Sequence, residues 1–175
     1  FDDKQFVPSS DASSNAFSGY GYDTLTDGII YQEYNGRYSS KQNGGKVEAT
    51  IDLGAVKTLS QLKIYLYKDG LSKFGTGLTV QIQYNGEWTT VINLADTSEI
   101  EKYLVKNVGG VGDWLVFDLG DSYARKVKIT IPSQTDSGWT TLYEIECIGT
   151  ASTAIDSGSD SENDQDGEPV NILAD

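Results

Sequence analysis

Apolar and polar residues alternate with a period of two along most of the chain, the spacing of a half-buried β-strand rather than of a helix. Val47, Ala49, Ile51 and Leu53 alternate with Glu48, Thr50 and Asp52, and Leu62, Ile64 and Leu66 alternate with Lys63 and Tyr65. The same rule covers Leu78, Val80, Ile82 and Tyr84, then Leu115, Phe117 and Leu119, then Val127, Ile129 and Ile131. A last strand is predicted with Tyr143, Ile145 and Cys147 on one face and Glu144 and Glu146 on the other. Asn85-Gly86 is a hairpin signal between Tyr84 and Trp88. The Gly-rich stretches 44–45, 75–77 and 109–112 read as loops, and a short helical turn is expected only at Ser98–Tyr103. Many short strands joined by Gly and Asn turns predict an all-β fold, an antiparallel two-sheet β-sandwich of jelly-roll type.

Two strands end alike. Ile51-Asp52-Leu53-Gly54 leads into Leu62-Lys63-Ile64, and Phe117-Asp118-Leu119-Gly120 leads into Val127-Lys128-Ile129. Each Asp-Leu-Gly reads as a turn feeding a further strand. Nothing else recurs, so a repeat array is not expected.

Composition divides the chain. Three Trp, eleven Tyr and five Phe all precede residue 151. Of 26 acids, seven lie in residues 151–175, where no base occurs; the first 150 residues keep 19 acids against 13 bases, a net charge of −6. Residues 1–149 therefore form the folded unit, the Ser/Asp/Gly-rich stretch 150–168 reads as a solvated acidic linker, and 169–175 reads as the truncated start of a following domain. A chain that opens on Phe1 reads as a processed piece of a larger protein.

Charge and residue types narrow the function. So acidic a unit suits neither nucleic-acid backbones nor anionic membranes, which are bound through Lys/Arg clusters. The one basic grouping, Arg125-Lys126-Lys128, reads as an exposed strand face. The sequence has no His, which removes the usual general base at neutral pH and the commonest transition-metal ligand. The lone Cys147 falls in an apolar alternation and reads as a buried, inert thiol. No constellation of catalytic groups stands out, so a binding role is expected rather than an enzymatic one.

The ordered landmarks Leu25-Thr26-Asp27-Gly28, Arg37-Tyr38-Ser39-Ser40, Ile51-Asp52-Leu53-Gly54, Ala124-Arg125-Lys126-Val127-Lys128-Ile129 and Leu142-Tyr143-Glu144-Ile145-Glu146 carry a resemblance. Over roughly residues 5–149 the chain resembles the discoidin, or coagulation factor 5/8 type C, superfamily, and most of all its bacterial family 32 carbohydrate-binding modules. The resemblance implies a galactose-binding-domain-like sandwich. It also implies a non-catalytic module that targets a larger secreted or cell-surface, glycan-active protein, such as a glycoside hydrolase, to host or mucin-type glycans.

Asp27 near the start and Glu144 on the last predicted strand are carboxylates that a sandwich can bring together, and an all-oxygen donor set suits Ca²⁺. The resemblance implies a structural calcium held by Asp27 and Glu144, with the carbonyls of Thr24, Ile29 and Tyr143. Relatives often add a hydroxyl where this chain has Gly36, so Asn35 is expected to take that place. The plainer reading makes Asp27 a turn cap and Glu144 a solvated strand carboxylate.

Sugars need an aromatic ring to stack on and a few polar arms beside it. Three loops offer them: Tyr31 and Tyr34, Lys68 and Asp69, and Trp139. The resemblance implies that these loops share one end of the sandwich and form the glycan site, with a cation near Lys68 and an aromatic near Trp139. The plainer readings are a Lys68–Asp69 pair across a turn and a core role for Trp139; Trp88 and Trp114 are expected in the core. Relatives that bind galactose commonly place a His where this chain has Ser39, which counts against terminal galactose and points also to N-acetylhexosamine or fucose; the expected partners are glycans ending in one of these three. The competing reading is a discoidin-like phospholipid-binding or protein-adhesion domain, with Leu71 and Phe74 as apolar spikes flanked by Lys68 and Lys73; the net charge opposes the membrane form.

Overall fold

The computed structural model describes residues 5–8, 25–26, 28, 30, 38–39, 47–67, 71, 77–106, 112–132 and 141–157. Its strands are β1 (Gln5–Pro8), β2 (Tyr38–Ser39), β3 (Val47–Tyr67), β4 (Leu78–Tyr84), β5 (Glu87–Leu94), β6 (Leu104–Val105), β7 (Gly112–Ile131), β8 (Thr141–Leu142) and β9 (Glu144–Ala151). One helical turn, α1 (Thr97–Ile100), continues into a 3₁₀ turn at Glu101–Tyr103. It overlaps the stretch where the sequence predicts one, starting one residue earlier, and Asp96 caps it by accepting from the Glu99 N–H while Glu99 accepts from the Ala95 N–H.

The frame is the antiparallel pair β3–β7, which runs from Val47↔Ile131 to Tyr67↔Gly112 with register shifts between Asp52 and Lys57 and between Leu59 and Gln61. Both strands bend midway, at the repeated Asp-Leu-Gly. Gly54 (φ 76°) and Gly120 (φ 58°) take left-handed backbone there, and each donates its N–H to the aspartate two residues earlier, Asp52 and Asp118, at 2.8 Å. The bends divide one hydrogen-bonded sheet into two leaves. The first holds β1, the Val47–Asp52 half of β3, the Lys126–Ile131 half of β7, β4 and β5. The second holds β9, the later half of β3, the earlier half of β7, and β6.

A bulge keeps the pattern consistent across the bend. Leu59 pairs with Gly149 and Gln61 with Ile148, so Ser60 is an extra residue outside the ladder register, its hydroxyl donating to the Ile148 carbonyl. Odd positions of β3 (Val47, Ala49, Ile51, Leu53) face the core before the bend, Val56 and Leu59 are buried within it, and even positions (Leu62, Ile64, Leu66) face the core afterwards. Ile51 in one leaf and Ile64 in the other are both fully buried in one cluster with Val80, Phe117, Ile129 and Ile145. The leaves therefore close over a single core, which is the sandwich the alternation predicts.

Three expectations change. Trp88 and Trp114 stay out of the main core: Lys128 Nζ stands 4.2 Å from the Trp88 ring, and Trp114 packs on Tyr65 and Tyr143. Tyr143 does not share a face with Ile145, because the chain leaves the ladder between β8 and β9 and turns the ring onto Tyr65. The grouping Arg125-Lys126-Lys128 is more than an exposed face, since Arg125 is mostly buried and its guanidinium pairs with Asp52. The described fold also runs past residue 149: β9 ends at Ala151, and the Ser157 N–H donates to Asn85 Oδ1 at the β4–β5 turn.

Candidate functional site

Two ends of the chain meet at Glu144. Leu25, fully buried in the main core, anchors the first landmark. Three residues on, the Gly28 N–H donates to Glu144 Oε1 at 3.1 Å. Glu144 opens β9 opposite Tyr65 and is 1% exposed, with Tyr143 and Tyr65 buried beside it. A carboxylate so buried must be held by charge or by hydrogen-bond donors, and the Gly28 N–H supplies one. The reading of Glu144 as a solvated strand carboxylate is thus corrected. Of the proposed calcium donors, Tyr143 and Glu144 are within the described residues; Thr24, Asp27, Ile29 and Asn35 lie outside them.

A buried carboxylate is a donor that suits a hard cation. Glu144 is a buried carboxylate, and the Gly28 N–H donates to it. Carboxylate and carbonyl oxygens are the donors that Ca²⁺ takes. Among the described residues no group of three or more His, Cys, Asp or Glu assembles.

Register also gathers the roots of the three loops singled out for sugar binding. Tyr38 pairs with Leu142 and Ser39 with Thr141, so the segments ending at residues 37 and 140 enter neighbouring strands. β9 begins at Glu144 opposite Tyr65, two residues before β3 ends at Tyr67 and its loop departs. All three roots therefore stand at the end of the sandwich remote from the Gly54 and Gly120 bends. Tyr31, Tyr34, Lys68, Asp69 and Trp139 themselves lie outside the described residues, as do Phe74 and Lys73 of the competing membrane reading.

Outside this end, the structure assembles groups that period-two reading did not find. Asp52 accepts from Gly54 N–H and pairs with Arg125, fixing the first bend to the strand that leaves the second. Lys63 bridges Glu146 at 2.6 Å and stands 4.3 Å from the Trp114 ring centroid, a row across β9, β3 and β7 on the outer face of the second leaf. Their only signal in the sequence was the echo itself, which repeats the aspartate but not the arginine partner.

The F5/8 type C domain model matches residues 9–145. No curated protein matches the chain. Among solved structures, GH31 CBM32-2 bound to GalNAc is 21% identical, with 84% of this chain and 97% of that chain covered and a TM-score of 0.59. The family 32 module of NanJ from C. perfringens, in complex with galactose, is 14% identical over 83% of this chain and 93% of that one, with a TM-score of 0.59. A Streptococcus pneumoniae fucose-binding module is 16% identical over 85% and 93%, with a TM-score of 0.55. The fold is thus that of carbohydrate-binding modules, and the chain, matched over most of its length, belongs to the F5/8 type C domain family.

Proposed function

We propose that the protein is a non-catalytic carbohydrate-binding module that holds a larger secreted, glycan-active protein on host or mucin-type glycans. The observation that carries this reading is the convergence of three loop roots at the Glu144 end, in a fold shared with modules that hold GalNAc, galactose and fucose. At that end Tyr31, Tyr34 and Trp139 supply rings for the C–H faces of a sugar, and Lys68 and Asp69 supply arms for its hydroxyls. Terminal galactose, N-acetylhexosamine and fucose are the sugars this set suits. The affinity is modest, because a shallow site desolvates few groups and water competes for each hydroxyl.

A calcium ion belongs to the same proposal, with Glu144 and Asp27 as carboxylate donors and the carbonyls of Thr24, Ile29, Tyr143 and Asn35 beside them. Bound there, it would supply positive charge to carboxylates from both ends of the chain. Glu144 and the Gly28 N–H already hold the two ends in contact, which keeps the loop roots in fixed relation.

A glycan array run on the protein and on its Trp139→Ala and Tyr34→Ala variants tests the sugar site. Binding to a subset of galactose-, N-acetylhexosamine- or fucose-terminated glycans, lost in at least one variant, is expected. Binding that neither substitution alters would place the sugar elsewhere.

A further inference from the structure

The opposite end of the sandwich carries a second built surface. The β4–β5 hairpin turns on Asn85 (φ 53°) and Gly86 (φ 79°) and belongs to the first leaf alone. Its inner face therefore runs out over the Gly120 bend instead of under a strand of the second leaf. Ile82 is still covered, but Tyr84 and Val91 are half-buried and Thr89 is exposed. Together with Asp121, Ser122 and Tyr123 they line an open cleft of about 420 Å³, within the span of about 300–1,000 Å³ usual for small-molecule sites.

We propose that this cleft is a second saccharide-binding site, for one or two rings of a neutral sugar, independent of the loop site at the other end. Tyr123 is 49% exposed although it sits in a strand, and its ring lies 5.6 Å from that of Tyr84 at 41°. The two rings form an open angle against which the C–H face of a pyranose can lie. Paired aromatic rings at the edge of a cleft offer a surface that the C–H face of a sugar can cover. Polar groups stand next to the rings. The Asp121 carboxylate is exposed at the bend, on a residue with φ 55°. The Ser122 hydroxyl donates to the Leu119 carbonyl, which leaves its lone pairs to accept. Thr89 adds another hydroxyl from across the cleft. Among the described lining residues none is basic, and a lone carboxylate repels anions, so the chemistry selects uncharged polyols over sialylated or sulfated ones.

The test is a set of ¹H–¹⁵N titrations on the full chain carrying Trp139→Ala, so that the loop site is disabled. Galactose, N-acetylgalactosamine, fucose, glucose, N-acetylglucosamine and lactose serve as neutral probes, and sialic acid as the anionic one. At least one neutral probe is expected to move the Gly120–Tyr123 amides saturably, and sialic acid to leave them still. Adding Tyr123→Ala should weaken that binding about tenfold, whereas Tyr123→Phe, which keeps the ring, should retain it. Asp121→Asn tolerates the same backbone and should weaken binding several-fold with an unchanged melting temperature. Still amides with every neutral sugar, equal binding of sialic acid, or full affinity in both Tyr123→Ala and Asp121→Asn would overturn the proposal. None of these results bears on the loop site, which fails or stands on the Trp139 and Tyr34 variants.

Discussion

The backbone N–H of Gly28 and the buried carboxylate of Glu144 are joined at 3.1 Å across 116 residues of sequence. This contact closes the module: a turn near the beginning is held on the last strand, at the end where three loops take root. A calcium ion there would stabilise the folded state by mass action, since the unfolded chain presents no such donor set. Excess EDTA is expected to lower the melting temperature by about 5–10 °C, the shift from removing a ligand held near a hundredfold excess over its dissociation constant. In Glu144→Gln the melting temperature should no longer respond to calcium or EDTA, and differential scanning calorimetry with and without calcium reads both effects.

The repeated Asp-Leu-Gly bends should respond unequally to the same substitution. Asp52 is nearly buried and pairs with Arg125 besides bonding Gly54, whereas Asp118 is exposed and bonds Gly120. Asp52→Ala leaves a largely buried guanidinium without its counter-charge and should cost about 2–4 kcal/mol, somewhat less than a fully buried pair. Asp118→Ala should cost about 0.5–1 kcal/mol, the worth of one exposed side-chain hydrogen bond. Urea melts of the two variants compare them directly, and equal losses would show that the Arg125 pair contributes nothing.

Glycine positions separate strain from collision. A Cβ at Gly120 meets nothing within 4 Å, so Gly120→Ala suffers only its left-handed backbone (φ 58°) and should lose about 1–2 kcal/mol. A Cβ at Gly112 would fall 2.0 Å from the Leu66 carbonyl oxygen, in the ladder itself. Gly112→Ala must push β3 and β7 apart and should unfold the domain or cost more than about 3 kcal/mol. Expression level and near-ultraviolet dichroism distinguish the two.

The cap of the helical turn predicts a local pH response. The Ser98 hydroxyl, and after it the Glu99 N–H, hold the Asp96 carboxyl below the ordinary aspartate value of 3.8. Because the folded-state value is depressed, the cap contributes at pH above 3.8 and is lost as the pH falls through the lower folded value. Carboxyl chemical shifts should show Asp96 titrating below 3.8, and Ser98→Ala should move that midpoint up.

Much of the fold is legible in the chain because alternation leaves one register that buries every apolar residue of a strand. It gives the strands around Ile51, Ile64, Val80, Phe117 and Ile129, and the landmarks from Leu25 to Glu146 place the family. Alternation reports only which side of a strand is apolar, however. It says nothing about what a polar neighbour will meet: hence the plainer reading of Glu144 as solvated, of Arg125 as surface, and of Trp88 and Trp114 as core.

Those outcomes depend on contacts between residues far apart in sequence. The bulge at Ser60 exchanges the inward and outward faces of β3, the bends at Gly54 and Gly120 bring Arg125 to Asp52, and the Tyr65–Tyr143–Trp114 cluster forms over the outer face. The sequence by itself determined the strands, their buried faces and the family. Only the tertiary structure decided which polar groups were drawn out of water and that Tyr84 and Tyr123 flank a cleft. The reason is that burial of a polar side chain is set by what folds across it, and no local pattern encodes that partner.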